Sequence, residues 1–130
     1  MIVDTSAVIA ILNGEPEDAA FVQAIVDAPT ARMSAASFLE TAIVVDGLGD
    51  PVRSRRLDEL VDALGIHVAD FTAEHARLAR AAYRDFGKGS GHPARLNFGD
   101  CFSYALSAAS GEPLLFKGDD FVHTDVRPAV

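Results

Sequence analysis

The stretch MIVDTSA, residues 1–7, decides the fold of this 130-residue chain. Ile2 and Val3 are β-branched residues, typical of a short buried strand. Residues 4–6 (Asp-Thr-Ser) offer side-chain oxygens of the kind that cap helices, and the apolar residues that follow, up to Leu12, are compatible with a helix. This stretch therefore predicts a strand that leads directly into a helix.

The same order, strand and then helix, recurs along the chain. Further strands are predicted at 32–33, 66–71 and 113–116, with a short terminal strand at 124–126. Helices are predicted at 7–12, 16–28, 34–46, 53–64, 72–86 and 98–110, the last one capped by Asn97. In the third helix we expect one apolar face formed by Phe38, Leu39, Ala42 and Ile43.

This alternation implies parallel strands joined by right-handed crossovers. The predicted fold class is α/β, a three-layer α/β/α sandwich around a mostly parallel sheet of four or five strands. The length suits one core, and no linker or repeat divides the chain. We therefore predict a single domain over residues 1–130.

The composition is that of a globular protein, with 49% hydrophobic and 23% charged residues. The longest apolar stretches, at 6–12 and 38–45, are much shorter than the roughly 20 residues of a membrane-spanning helix. The first residues lack the features of a secretory signal, and Cys101 is the only cysteine, so no internal disulfide can form. We expect a cytoplasmic protein without a membrane segment.

The charge is unevenly distributed. The net charge of −8 argues against a protein that binds nucleic acid through its overall charge. Yet residues 77–95 contain five basic side chains and a single acid, Asp85. Arg77, Arg80 and Arg84 are spaced to share one helical face, which suits contact with an RNA backbone, an acidic partner segment or simply solvent.

Four acidic residues are predicted to converge at one edge of the sheet. In open parallel sheets, ligands bind beyond the carboxyl ends of the strands. Asp4 follows the first strand, Glu40 lies in the helix after the second, and Asp119 follows the 113–116 strand. Asp100 begins the helix that precedes that strand, and a crossover helix starts at the same edge. We therefore expect these carboxylates to meet.

Each acid also has a structural explanation. Asp4 suits a helix N-terminus, and Ser37 to Glu40 and Asn97 to Asp100 both match capping patterns. Carboxylates that meet without a cation repel one another, however, and must take up protons. Mg²⁺ prefers carboxylate and water oxygens and would relieve this repulsion. The combination therefore predicts a magnesium site suited to phosphodiester hydrolysis, with one or two ions.

Four short segments, taken in order, resemble PIN-domain ribonucleases and specifically the VapC toxins of bacterial toxin–antitoxin pairs. The likeness covers the whole chain and is carried by residues 1–7 (MIVDTSA), 37–41 (SFLET), 96–101 (LNFGDC) and 114–121 (LLFKGDDF). It implies an endoribonuclease that depends on Mg²⁺ or Mn²⁺. It also implies a VapB-type antitoxin as partner and a homodimer.

Matching positions then suggest individual roles. Asp4 and Asp100 correspond to direct metal ligands, and Glu40 to a ligand or to the residue that orients the attacking water. Thr5 and Ser6 correspond to supporting polar groups, although helix capping explains them equally well. Many relatives carry the fourth acid in a Thr-x-Asp-x-Asp-Phe segment, from which this sequence departs at positions 116 and 118. Asp119 and Asp120 are both candidates, and Asp119 is preferred because Asp120 is a residue that could hold the turn.

Two other functions fit the acidic edge. A phosphotransfer module of the receiver or aspartyl-phosphatase type also groups aspartates around Mg²⁺, but it needs a phosphoacceptor after a central strand, and Asp46 and Asp50 follow a helix. A non-enzymatic acidic module that binds metal or a partner is the second alternative.

The remaining candidate residues are given structural roles. The histidines have no ligand spacing, and Cys101 lacks a histidine partner and is expected to pack in its helix. The glycine-rich loop at 87–93 is a candidate for contact with substrate.

Overall fold

The computed structural model describes residues 1–130 and contains four strands and six helices. The strands are β1 (Ile2–Val3), β2 (Ala31–Ser34), β3 (Ile66–Ala69) and β4 (Leu114–Leu115). The helices are α1 (Thr5–Leu12), α2 (Asp18–Asp27), α3 (Ala35–Asp46), α4 (Pro51–Ala63), α5 (Ala73–Phe86) and α6 (Asp100–Ser110). No helix combines the length and the apolar content that crossing a membrane requires.

The strands form one parallel sheet in the order β3-β2-β1-β4. Ile2 of β1 lies opposite Arg32 on one side and Leu114 on the other. The first strand is therefore central, and the carboxyl ends of all four strands lie at the same edge. This confirms the predicted α/β architecture with four strands.

The predicted terminal strand at 124–126 is wrong. Thr124 is held in a turn because its hydroxyl donates a hydrogen bond of 2.7 Å to the carbonyl of Phe121. The chain joins β4 only later, through a single bridge between Leu114 and Pro128. Proline has no backbone N–H, which limits how far pairing can extend there.

Helices cover both faces of the sheet and create two cores. One core contains residues of α1 to α4 packed on Val3, Met33 and Leu115. The other contains residues of α5 and α6 packed on Ile2 and Leu114. Successive strand residues point to opposite faces, so Ile2 and Val3 each enter a different core. These are the three predicted layers.

Helix α3 buries only part of its predicted apolar face. Its fully buried residues are Ser37, Thr41 and Val45, while Leu39 and Ile43 are 59% and 63% exposed. Of the predicted apolar face, Phe38 and Ala42 do pack against the core, but Leu39 and Ile43 do not, because the most buried face carries hydroxyl groups that serve the carboxyl edge of the sheet.

The turn before α6 shifts the start of that helix from residue 98 to Asp100. The backbone N–H of Asp100 donates to Oδ1 of Asn97 over 2.8 Å, and the N–H of Asn97 donates to Oδ2 of Asp100 over 2.9 Å. This reciprocal pair is the predicted capping interaction. It holds residues 98 and 99 in a turn that precedes the helix instead of in the first turn of the helix. The turn delivers the Asp100 carboxylate to the carboxyl edge.

Candidate active site

Asp4 is the most constrained acidic side chain of the edge. It lies between β1 and α1, is 3% exposed and caps the helix. Its Oδ2 accepts hydrogen bonds from the backbone N–H of Ser6 (2.9 Å) and from the Ser6 hydroxyl (2.6 Å). These donors and the helix N-terminus stabilise the negative charge of the carboxylate. The Ser6 hydroxyl in turn accepts a bond of 3.0 Å from the backbone N–H of Lys117, just after β4.

The other oxygen of Asp4 is held by a chain of hydroxyls. Ser103 on α6 donates to Oδ1 of Asp4 over 2.6 Å. Because a hydroxyl has one proton, Ser103 must act as acceptor toward Ser37, whose oxygen lies 3.1 Å away. Both serines are fully buried. The chain Ser37–Ser103–Asp4 thus connects α3, α6 and the end of β1.

Glu40 reaches the same edge from α3. Its Oε1 accepts a hydrogen bond of 2.7 Å from the hydroxyl of Thr5, which in turn lies 3.0 Å from the hydroxyl of Thr41. Burial raises the pKa of Glu40, the Thr5 hydrogen bond opposes this, and the negative charge of Asp4 raises the pKa further. Glu40 sits in mid-helix, and α3 is capped by Ser34, so the capping explanation for Glu40 is wrong.

Gly99 makes room for the Glu40 carboxylate. A Cβ atom built on Gly99 would lie 1.7 Å from Oε2 of Glu40, far inside any van der Waals contact. Since Gly99 immediately precedes Asp100, this close approach brings the Glu40 carboxylate to the start of α6. The φ of Gly99 is −65°, so the requirement is for space and not for an unusual backbone conformation.

Asp100 shows that the acids lie close enough to repel one another. It is 8% exposed. Burial raises its pKa to about 7, the hydrogen bond from the backbone of Asn97 opposes the rise, and the negative charges of Asp4, Asp120 and Glu40 add to it. The structure therefore brings Asp4, Glu40 and Asp100 together, as chain topology predicted.

Of the two aspartates after β4, Asp120 is the one whose charge reaches Asp100. Both side chains are exposed, and neither carboxylate makes a hydrogen bond. The turn is instead supported by backbone bonds such as Val122 N–H to the carbonyl of Asp119 (3.2 Å). The reason for preferring Asp119, that Asp120 holds the turn, therefore does not apply.

The donor set suits a hard cation. As positioned, no three acidic, histidine or cysteine side chains form a closed set around one ion. Mg²⁺ does not need one, because it is commonly bound through one or two carboxylates and keeps several waters. Asp4 retains a free lone-pair direction beyond its three donors, and Asp100 carries an unfavourable charge that a cation would stabilise. Asp4 and Asp100 would hold such an ion most directly.

Sequence reasoning missed the hydroxyl residues that support the acids. Ser37 and Thr41 are spaced four residues apart on α3, and Ser103 follows Asp100 by three. Small polar residues at helical spacing, on a face that must be buried, are the signal that would have found them.

The basic face is partly available for an anion. Arg84 is paired with Asp85 over 2.9 Å, whereas Arg77 and Arg80 on the same helix make no ion pair. Lys88 lies where the 87–93 loop begins, and its backbone N–H donates a hydrogen bond of 2.8 Å to the carbonyl of Leu96.

Cys101 is buried, and its thiol lies 3.4 Å from the carbonyl of Asn97. Burial and the charge of Asp100 raise the pKa of this thiol to about 11, so it is inert at neutral pH. The predicted packing role of Cys101 is consistent with this environment.

Comparison with known proteins identifies the family. The PIN domain family model matches residues 1–127. The chain is 58% identical to "Ribonuclease VapC28" of Mycobacterium tuberculosis over 130 residues, covering 100% of this chain and 98% of that protein. It is 52% identical to "Ribonuclease VapC42" of the same species over 129 residues, covering 99% and 98%.

Solved structures agree on the fold. The crystal structure of M. tuberculosis VapC20, described as a sarcin–ricin loop cleaving toxin, superposes with a TM-score of 0.70 at 19% identity, covering 98% of both chains. A toxin–antitoxin complex from Klebsiella pneumoniae gives 0.72 at 14% identity, covering 95% of this chain and 92% of that one. The chain belongs to the PIN-domain family and, within it, to the VapC group of toxin–antitoxin endoribonucleases.

Proposed function

We propose that this chain is a Mg²⁺-dependent endoribonuclease, with Mn²⁺ as a substitute, and the toxin of a type II toxin–antitoxin pair. Asp4, Glu40 and Asp100 would hold the ion, which would activate water for the hydrolysis of RNA phosphodiester bonds. The observation that carries the proposal is the meeting of these carboxylates at the carboxyl edge, where Glu40 packs on Gly99 directly before Asp100 and Ser103 on α6 holds Asp4. Such a cluster costs stability unless a cation completes it.

Each carboxylate has its own part. Asp4 and Asp100 are metal ligands, fixed by Ser6 and Ser103 and by the turn at Asn97. Glu40, held by Thr5, is oriented to accept a hydrogen bond from the attacking water. A bound cation would polarise the phosphoryl group, lower the pKa of its water and stabilise the leaving oxygen. Asp120 is favoured over Asp119 as the fourth acid, because its charge acts on Asp100.

The test is cleavage of structured RNA by the purified chain in Mg²⁺, Mn²⁺ or EDTA. We expect cleavage with either metal and none in EDTA. Asp4→Asn and Asp100→Asn should each abolish it, while Asp58→Asn, an exposed acid on α4, serves as the matched control. Cleavage by both site variants at the rate of the parent would contradict the proposal.

The two alternatives predict other results. A receiver-type module would form an acid-labile aspartyl phosphate with a small phosphate donor, and Asp4, which directly follows the central strand β1, is the aspartate on which to look for it. A non-enzymatic module would gain stability from metal without cutting RNA. Either outcome would replace the nuclease assignment.

We also propose a homodimer that forms through the exposed apolar face of α3 and the turn that follows it. Leu39, Ile43, Val44, Leu48 and Val52 are each more than half exposed. Leu39, Ile43 and Val44 line one apolar cleft, and exposed apolar side chains grouped in this way are typical of a protein interface. We expect Ile43→Lys to convert a dimer into a monomer in light-scattering measurements, and Val26→Lys, on α2, to have no such effect.

A VapB-type antitoxin is the second proposed partner, and the cytoplasm is the proposed location. The antitoxin would be encoded beside this chain and would inhibit it stoichiometrically. Co-expression of the adjacent small open reading frame should yield a complex whose ribonuclease activity is suppressed. The loop at 87–93 is proposed to contact substrate, so its deletion should change which RNA is cut and leave metal binding intact.

A further inference from the structure

The turn that follows β4, residues 116–121, carries both candidates for the fourth acid. The side chains of Asp119 and Asp120 are exposed and, unlike that of Asp4, are not held by hydrogen-bond donors of their own. The charge of Asp120 nevertheless acts on Asp100. Contacts elsewhere in the turn must therefore fix where Asp120 lies.

Two aromatic rings bring the ends of this turn together. Phe121 is 2% exposed, and its ring packs against that of Phe116 with centroids 5.1 Å apart. Between them, Gly118 has a φ of +100°, a conformation that residues with a side chain rarely adopt. The rings close the turn, but they do not tie its exposed residues to the neighbouring elements.

Lys117 provides that tie. Its Nζ donates a hydrogen bond of 3.0 Å to Oε1 of Glu15 and lies 3.1 Å from Oε2 of Glu17. Both glutamates lie in the segment between α1 and α2. Lys117, Glu15 and Glu17 together form what we call the lysine clasp, which joins the turn to a distant part of the chain.

The clasp concentrates charge on one ammonium group. Two of the five ion pairs in the chain are made by Lys117. Oε2 of Glu17 is shielded from solvent, so the nearby ammonium is its compensating charge. Hydrogen bonds to Glu15 and Glu17 raise the pKa of Lys117. The lysine is therefore engaged in the clasp and is not free to bind another anion.

The clasp is poorly suited to a role in global stability. The side chains of Lys117 and Glu15 are each 34% exposed and that of Glu17 is 42% exposed. Ion pairs of this exposure are screened by solvent and stabilise a fold only slightly. A weak contact between two surface segments can still decide how one segment is placed relative to the other.

The backbone of Lys117 adjoins the acidic edge directly. Its N–H donates a hydrogen bond of 3.0 Å to the hydroxyl of Ser6, which itself donates to Oδ2 of Asp4 over 2.6 Å. This backbone bond fixes where the turn starts relative to Asp4. The lysine side chain, held on the other side by the clasp, then fixes the direction in which the turn continues toward Asp120.

We propose that Lys117 is a positioning residue for Asp120, because its clasp with Glu15 and Glu17 keeps the turn placed so that the Asp120 carboxylate stays beside Asp100. The inference rests on the proposed Mg²⁺-dependent function and deepens it by naming what orients the fourth acid. Lys117 itself contacts neither the ion nor the RNA.

The sign of one measurement separates positioning from simple electrostatics. Lys117→Met removes the charge and keeps a side chain of similar length. Removing a cation near a metal site would by itself strengthen Mg²⁺ binding, whereas loss of the clasp should weaken it by about 2- to 10-fold. Lys117→Arg should keep most of the affinity. Arg84→Met, which breaks the 2.9 Å ion pair with Asp85 on α5, is the control and should leave Mg²⁺ affinity unchanged in calorimetric titration.

A double-mutant cycle tests whether the effect passes through Asp120. In an Asp120→Asn background, Lys117→Met should cause no further loss of Mg²⁺ affinity. The double replacement Glu15→Gln and Glu17→Gln should weaken Mg²⁺ binding by about the same 2- to 10-fold as Lys117→Met. Glu59→Gln, an exposed acid on α4 without an ion pair, is the control for the loss of a negative charge.

Hydrogen exchange tests the clasp without metal. The backbone N–H of Val122 donates to the carbonyl of Asp119 and so reports opening of the turn. We expect Lys117→Met to speed exchange of this amide by about 1.5- to 5-fold, in keeping with the loss of partly exposed ion pairs. Thermal melts check that each variant folds.

Four results would overturn the positioning role. These are Mg²⁺ affinity that is unchanged or stronger in Lys117→Met, an equal loss in the Asp120→Asn background, no loss of affinity from Asp120→Asn alone, and unchanged exchange at Val122. The nuclease assignment is judged separately, by metal-dependent cleavage with the unsubstituted chain and its loss in Asp4→Asn and Asp100→Asn. An unsubstituted chain that binds no Mg²⁺ would overturn both.

Discussion

The hydroxyl of Ser103 donates a hydrogen bond of 2.6 Å to Oδ1 of Asp4, and this bond joins α6 to the end of β1. The donor is completely buried and has no solvent competitor. It fixes the rotation of the carboxylate and so the direction in which the remaining lone pair points. Ser103 is therefore a positioning residue for the candidate metal site.

Ser103→Ala should weaken Mg²⁺ binding and cleavage by about 10- to 100-fold, the usual effect of losing a residue that orients a metal ligand. The activity lost should be partly recovered at high Mg²⁺ concentration, which a general folding defect would not permit. Calorimetric metal titration measures the affinity. Ser110→Ala is the matched control, because its hydroxyl bonds only to nearby backbone groups, the carbonyls of Leu106 and Ser107 and the N–H of Glu112. Equal effects from both variants would contradict the positioning role.

Gly99→Ala should displace the Glu40 carboxylate and lower the cleavage rate by about 10-fold or more. The new methyl group would occupy the place of Oε2, and because Glu40 is flexible at that end, thermal stability should change little. A double-mutant cycle gives the decisive measurement. In a Glu40→Ala background, Gly99→Ala should have no further effect on the rate, and a full additional loss would show that Gly99 acts elsewhere.

Stability should fall as pH rises toward neutrality. The folded-state pKa of Asp100 is about 7 and its ordinary value is 3.8, so between these values the folded chain binds more protons than the unfolded chain. The free energy of unfolding therefore decreases from about pH 4 to pH 7 and changes no further from this cause above that range. Urea unfolding across this range measures the trend.

Two comparisons isolate the contribution of Asp100 to that trend. Asp100→Asn should flatten the decline, and saturating Mg²⁺ should reduce it in the unsubstituted chain, because a cation stabilises the charged carboxylate. A decline that is equally steep in Asp100→Asn would assign the effect to other groups.

Asp120→Asn should lower Mg²⁺ affinity and the pKa of Asp100, because it removes one of the charges that repel the Asp100 carboxylate. Carboxyl resonances of Asp100 followed by NMR would measure the pKa. Asp119→Asn is a matched neighbour of the same exposure and should change neither property. The reverse outcome would restore Asp119 as the fourth acid.

The architecture and the meeting of three acids could be predicted because both depend on chain topology. Asp4, Glu40 and Asp100 follow or accompany parallel strands, and such strands end at one edge whatever their order. The fourth acid could not be chosen in this way. Asp119 and Asp120 are adjacent in a turn, and their separation from Asp100 depends on backbone angles that sequence patterns do not encode.

The buried face of α3 was only half predicted, since Phe38 and Ala42 pack on the core but Leu39 and Ile43 do not, and the reason is different. Apolar periodicity assumes that buried positions are apolar. Ser37 and Thr41 can nevertheless be buried, because the hydroxyl of Ser37 is hydrogen-bonded to that of Ser103 and the hydroxyl of Thr41 donates to the backbone carbonyl of Ser37. The apolar residues Leu39 and Ile43 are left outside. Polar burial near a functional site is where pattern-based reasoning is expected to fail.

The hydroxyl chain from Ser37 through Ser103 to Asp4 ties catalytic tuning to folding. Replacing either serine by alanine leaves almost the same volume in the core, but it leaves a buried hydrogen-bond partner unsatisfied, at a cost of about 1–3 kcal/mol. Natural sequence drift could therefore weaken this nuclease one oxygen at a time only by giving up stability at each step.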